Sequence, residues 1–312
     1  MTADSPPQNI LVIKLSALGD FILSIGAFQA IRAHHPQARI ALLTTKPFAR
    51  LAEASGCFDE VWIDERPPVR RPGRWLALGR RLRRAGFDRV YDLQRSDRTA
   101  GYFYLAGRPQ WVGTVAGCSH RYRLPPEPLP HVALREADQL AAAGVAPIEA
   151  PDLSFLEADV GHFDLTSPCA LLVPGAAPHR PAKRWPAARF AALARELAGR
   201  GVTPVLLGTG TEARALAEIA AACPEARDLC GQTGLEELAT LARRAAFAVG
   251  NDTGPMHLIA AAGCSCLVLY SAESDPAKTA PRGEKVEILR EASLADLDLG
   301  RVLAALDALT AA

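Results

Sequence analysis

Short apolar runs, each followed by a loop and a helix-like stretch, recur along this chain and then begin again past its middle. The runs at 10–15, 39–45, 60–63 and 88–93 read as strands, and the stretches at 21–33, 48–54 and 74–85 as the helices between them. Near-continuous apolar runs suit strands buried on both faces, and their alternation with helices specifies a parallel, doubly wound sheet. A proline-rich loop at 125–130 and a helix at 134–143 follow, and residues 146–167 lack clear period. The pattern then restarts. Strands are expected at 169–173, 202–207, 246–249, 266–270 and 286–289, with helices at 186–199, 212–222, 235–243, 258–262 and 297–309. Pro186 and Gly199 punctuate the first of these helices as start and stop residues do. The expected architecture is α/β: two Rossmann-like domains facing across a cleft, residues 1–160 and 161–312. The carboxy-terminal helix is expected to pack back on the first domain.

Composition narrows the function classes. The 312 residues are 49% apolar and 22% charged, enough for packed cores. The net charge of +1 argues against a nucleic-acid-binding surface spread over the whole protein. Seven scattered cysteines, with no C-x-x-C pair, read as reduced thiols, and neither they nor the histidines have metal-ligand spacing. The polar amino terminus has no signal-peptide core and no run is long enough for a membrane span, so a cytoplasmic protein is expected.

Chemistry should lie in the loops at the carboxyl ends of the strands. Asn251-Asp252-Thr253-Gly254-Pro255-Met256-His257 joins a strand to a helix. Unpaired N–H groups and the dipole at such a helix start favour phosphate. Gly254 permits close approach to the backbone, and Thr253 and His257 share one helix face. Ser16-Ala17-Leu18-Gly19-Asp20 follows the first strand but has neither the dinucleotide fingerprint nor a Walker lysine. Asp20 reads equally as a helix cap or as a carboxylate that takes a proton from an acceptor hydroxyl. Gly175 follows the first strand of the second half, and Lys183 precedes a helix, as a phosphate-binding or a merely solvated lysine. Trp185 reads better as a core anchor. Glu212, after a further strand, suits ribose hydroxyls or the helix dipole.

Ser-x-x-Gly-Asp, Pro-Gly-Ala with Lys-Arg-Trp-Pro, Gly-x-Gly-x-Glu and Asn-Asp-Thr-Gly-Pro-Met-His, in that order, resemble glycosyltransferase family 9. This is the family of the ADP-heptose:lipopolysaccharide heptosyltransferases. The resemblance runs from Ile10 to about Leu289. It implies a GT-B fold and inverting sugar transfer from a nucleotide-sugar, with ADP-heptose as the expected donor. Asp20 matches the proposed general base, Lys183 the lysine that neutralises the departing phosphates, and Glu212 the ribose-binding acid. Asp252, Thr253, Gly254 and His257 match the donor turn, and Ser16, Gly19 and Gly175 are expected beside the donor. No metal and no cofactor are implied.

Two departures stand out. Gly26 lies near the place of a common family proline, and Ser271-Ala272-Glu273-Ser274-Asp275-Pro276 replaces the usual Gly-Pro-Thr-Asp-Pro. Gln94, Arg95 and Arg98 follow a strand and are expected to meet an acidic lipopolysaccharide inner-core acceptor, although Ser96 also reads as a helix cap. Eight arginines between Arg66 and Arg84, interleaved with Trp75, Leu76, Leu78 and Leu82, read equally as a peripheral inner-membrane contact or a solvated helix face. The alternative functions are a GT-B nucleotide-sugar epimerase and a family-9 transferase for another sugar and acceptor.

Overall fold

The computed structural model describes residues 7–68, 70–177 and 179–311; residues 1–6 of the polar amino-terminal stretch lie outside them. The chain divides into two compact units, Met1–Pro151 and Asp152–Ala312. The division falls inside the aperiodic 146–167 segment, closer to its start than residue 160.

The first unit runs β1 (Asn9–Ile13), α1 (Leu18–Leu23), α2 (Ile25–His34), β2 (Arg39–Thr44), α3 (Ala49–Ala54), β3 (Glu60–Ile63), α4 (Pro72–Ala85), β4 (Arg89–Asp92), α5 (Asp97–Leu105), β5 (Gln110–Gly113), β6 (His120–Arg121) and α6 (Val132–Ala141). The second runs β7 (Cys169–Val173), α7 (Ala187–Gly199), β8 (Thr203–Leu206), α8 (Ala213–Ala222), β9 (Arg227–Asp228), α9 (Leu235–Arg244), β10 (Phe247–Asn251), α10 (Gly254–Ala261), β11 (Cys266–Tyr270), α11 (Pro276–Thr279), β12 (Val286–Arg290) and α12 (Leu299–Ala311).

The sheets are ordered β3-β2-β1-β4-β5-β6 and β12-β11-β10-β7-β8-β9, with parallel pairing at both centres. Both orders are Rossmann-like. The direction of winding reverses between β1 and β4 in one sheet and between β7 and β10 in the other. At such a reversal the loops beyond the strand carboxyl ends part and leave room for a ligand. The central strands are fully buried because helices cover both faces: Ile10 to Ile13, Ala170 to Leu172 and Cys266 to Tyr270 are at most 1% exposed.

Several local features position the site. The helix expected at 21–33 is two helices that meet at Ser24, which ends α1 and begins α2. The Ser24 hydroxyl donates back to the Asp20 carbonyl at 2.8 Å, a bond that competes with regular helix geometry and bends the chain there. Gly26, the departure from the family proline, lies against the Glu149 carbonyl oxygen, closer than any side-chain carbon tolerates. Helix α4 turns Leu82 into the first core, with Trp75 and Leu78 packed against it, and leaves its arginines exposed. Val302, Leu306 and Leu309 of α12 belong to the second core with Leu172, Phe190 and Leu197. These three side chains of α12 are thus used within the second unit.

Candidate active site

In the first unit, the loop after β1 carries Asp20. Ala17, its helix N-cap, has φ 31 and ψ 139. A non-glycine residue at positive φ costs on the order of 1–3 kcal/mol and persists only where the surroundings hold it. Asp20 is the third residue of α1, half-buried, and its side chain makes no capping hydrogen bond. The cap position belongs to Ala17, so the capping reading of Asp20 fails, and the carboxylate retains only the favourable helix dipole. Gly19 is buried beside it. Gln94 ties this loop to the one after β4: its amide donates to Ser16 Oγ at 2.8 Å, and its carbonyl oxygen accepts from the Leu15 N–H at 2.8 Å. Arg135, partly buried, feels the Asp20 charge.

The two arginines expected at the acceptor are engaged by the protein. Arg95, itself at φ 52, has a side chain only 6% exposed. Its guanidinium lies 3.6 Å from Glu136 and donates to Gln139 at 3.5 Å. Arg98 donates to the Tyr102 hydroxyl and the Pro67 carbonyl, both at 3.1 Å, and stacks 4.8 Å from the Trp75 ring centroid. Ser96 does cap α5: its hydroxyl accepts from the Thr99 N–H, and the Thr99 hydroxyl accepts from the Ser96 N–H. Asp92, fully buried at the end of β4, accepts from the Gln94 and Arg95 N–H groups. Burial pushes its carboxyl up to about 6 against these hydrogen bonds.

In the second unit, the loops after β7, β8 and β10 converge. Asn251, fully buried, donates to the Pro174 and Gly175 carbonyls at 2.7 and 3.4 Å and accepts from the Trp185 N–H at 3.0 Å. Trp185 is the expected core anchor, 1% exposed, with its indole N–H on the Leu297 carbonyl. This anchoring sets Lys183, whose ammonium donates to Asp252 at 2.6 Å. Asp252 is 9% exposed. Burial alone raises its pKa, but the Lys183 hydrogen bond, with help from Ser274 and the Lys183 and His257 charges, outweighs burial and holds the carboxyl below the usual range.

Thr253 is the N-cap of α10 but makes no side-chain cap. Pro255, second in the helix, has no N–H, and the Met256 N–H bonds the Thr253 carbonyl at 3.1 Å, so the Gly254 N–H is the donor that the helix start offers. Gly254 begins the helix and His257 is buried one turn on. Glu212 accepts from the Thr209 N–H and from both threonine hydroxyls of its turn, at 2.7–2.9 Å. Those bonds outweigh burial and lower its pKa. Glu212 also lies against Gly175, where an added Cβ would meet its Cγ at 2.9 Å. Ser274, in the departing 271–276 loop, faces Asp252, while Asp275 caps α11 through the Ala277 N–H. Lys14, Ser24 and Glu136 were not singled out from sequence as site residues, and Asn251 entered only as the first residue of the donor-turn motif; of the first three, Lys14, a charge inside an apolar run, gave a signal. Among the described residues no group of His, Cys, Asp and Glu has the makings of a metal site.

Two Rossmann-like sheets define a protein of the GT-B class. One presents a carboxylate loop at its switch point. The other presents a lysine and a helix amino terminus, a combination suited to a phosphorylated donor. The chain belongs to glycosyltransferase family 9 (heptosyltransferase), whose family model matches residues 75–301, and it is a transferase. It is 29% identical to lipopolysaccharide heptosyltransferase 2 of Escherichia coli (strain K12), over 91% of this chain and 88% of that one. The solved structure of E. coli ADP-heptose lipopolysaccharide heptosyltransferase II superposes with a TM-score of 0.80 at 28% identity, covering 97% of this chain and 98% of that one. A family 9 transferase from Veillonella parvula, 21% identical, shares the fold at a TM-score of 0.83 over 97% of both chains.

Proposed function

We propose that this protein is an inverting heptosyltransferase that moves a heptose from ADP-heptose to a lipopolysaccharide inner-core acceptor. The observation that carries the reading is the similarity to lipopolysaccharide heptosyltransferase 2 over 91% of this chain. Asp20 takes the proton of the acceptor hydroxyl as that oxygen attacks the anomeric carbon. The carbon–oxygen bond to the diphosphate breaks on the opposite face, and its electron pair leaves with ADP. Lys183 and the Gly254 N–H, with the dipole of α10 behind it, meet the negative charge that grows on the diphosphate. An ammonium has three N–H donors, so the bond to Asp252 orients Lys183 and leaves donors for phosphate. Glu212 accepts from the ribose hydroxyls, while Ser16, Gly19, Gly175 and His257 line the donor. Gln94, with Arg95 and Arg98 behind it, shapes the acceptor side. The enzyme works on the cytoplasmic face of the inner membrane, which the exposed arginines of α4 contact peripherally.

The test is transfer from ADP-heptose to inner-core acceptors with NMR of the product anomer. Inverted product, with Asp20→Asn slowed about 10²–10⁴-fold, is expected. Near-normal turnover of Asp20→Asn would remove Asp20 as the base. Conversion of the free nucleotide-sugar without acceptor would replace transfer by epimerisation.

A further inference from the structure

The Asp20 loop is held from outside by one buried carboxylate. Glu136, on α6, is 1% exposed. A single oxygen, Oε1, meets Lys14 Nζ at 2.9 Å, Ser24 Oγ at 2.9 Å and an Arg95 guanidinium nitrogen at 3.6 Å. The other oxygen, Oε2, is buried with no hydrogen-bond partner among the described residues. All of the holding therefore passes through the oxygen that faces the loop.

The three contacts bracket Asp20. Lys14 lies just before the loop and is itself 3% exposed. Ser24 lies just after it, and its one hydroxyl proton is shared between Glu136 and the Asp20 carbonyl, 2.8 Å away. Arg95 lies next to Gln94, which holds Ser16 and Leu15. Within this bracket sits Ala17 at positive φ, a conformation the loop does not keep without external restraint.

We propose that Glu136 is a positioning residue: through Ser24 and Lys14 it fixes the first turn of α1, and so the direction of the Asp20 carboxylate. The inference rests on Asp20 being the general base. Glu136 touches no reacting atom in this scheme. Its effect is on kcat, through the aim of the base, and not on how the donor is held in the second unit.

The test is a double-mutant cycle on the full chain with ADP-heptose and acceptor. Ser24→Ala removes the link to the Asp20 turn while leaving the Lys14–Glu136 and Arg95–Glu136 pairs in place. Glu136→Gln removes the charge while keeping the shape. Each is expected to lower kcat about 10- to 100-fold, as misplacement of a catalytic group does, with little change in donor KM. In an Asp20→Asn background, the same substitutions should cost less than about twofold, because no base remains to be aimed. Equal losses in both backgrounds, or wild-type kcat in the single variants, would overturn the proposal. If Asp20→Asn is impaired and Ser24→Ala is not, only the positioning role falls; if Asp20→Asn retains full turnover, both fall. Should Glu136→Gln fail to fold, Ser24→Ala decides alone.

Discussion

The Lys183–Asp252 contact is a pair whose two members stabilise each other's charge in a mostly buried place, with side chains 14% and 9% exposed. Removing the lysine leaves a carboxylate that burial penalises without its main partner, with only Ser274 and the His257 charge to offset that penalty. Lys183→Met should therefore weaken ADP binding and also destabilise the protein, by on the order of 2 kcal/mol near neutral pH, below the value for a fully enclosed pair. The pH dependence has a definite sign. The Asp252 pKa is held low in the folded wild type, so its contribution is present above the ordinary carboxylate value and drains away as pH falls through the folded one. In the variant, burial is opposed only by Ser274 and His257, and protonation begins at higher pH. Denaturant unfolding of both proteins from pH 7 downward should show a stability gap that closes below about pH 4. A gap that widens in acid would show that the pair does not hold the carboxyl down.

At the scale of elements, α4 turns one face inward and the other to solvent. Gly79 and Leu82 are buried, while Arg80 and Arg84, one turn apart, are exposed. If this face meets anionic lipid, each arginine contributes roughly 1 kcal/mol, and Arg80→Gln with Arg84→Gln should weaken binding to anionic vesicles about 10- to 30-fold. Cosedimentation with anionic and with neutral vesicles measures this. Equal binding of wild type and variant to both would leave α4 as a solvated helix. The sequence indicated such elements unevenly, for physical reasons. Strands buried on both faces announce themselves as apolar runs, so β1, β7 and β11 were plain. The edge pairings β6 and β9, His120–Arg121 and Arg227–Asp228, are too short and polar to carry a pattern. The contacts of Lys14 and Ser24 with Glu136 join groups more than a hundred residues apart, which no local period records. Arg95 and Arg98 follow β4, in the loop and in the first turn of α5, but Glu136 and Pro67, which engage their guanidinium groups, come from elsewhere in the fold. The motifs at the two switch points were readable because each is contiguous: strand end, turn and helix start lie within a few residues.

At the scale of the whole molecule, the groups proposed for donor phosphate and ribose all belong to the second unit, and the proposed base to the first. Lys183, Glu212, Asp252 and the start of α10 are set by Asn251, Trp185 and Gly175, each of them also in residues 152–312. That unit has its own six-stranded sheet and its own core, closed by α12. A segment with its own core meets the requirement for folding alone. The fragment 152–312 should therefore unfold cooperatively and be stabilised by ADP, by about 2.7 kcal/mol at a ligand concentration a hundred times its Kd. It should transfer no sugar, because Asp20 is absent. Thermal unfolding of fragment and full chain across an ADP titration tests this directly. Stabilisation of both with similar Kd places nucleotide recognition in the second unit. A folded fragment indifferent to ADP, beside a full chain that responds, would mean that first-unit residues such as Ser16 and Gly19 are required to bind the nucleotide. That result would move the donor contacts proposed for them from accessory to essential, while leaving Asp20 and its buried bracket untouched.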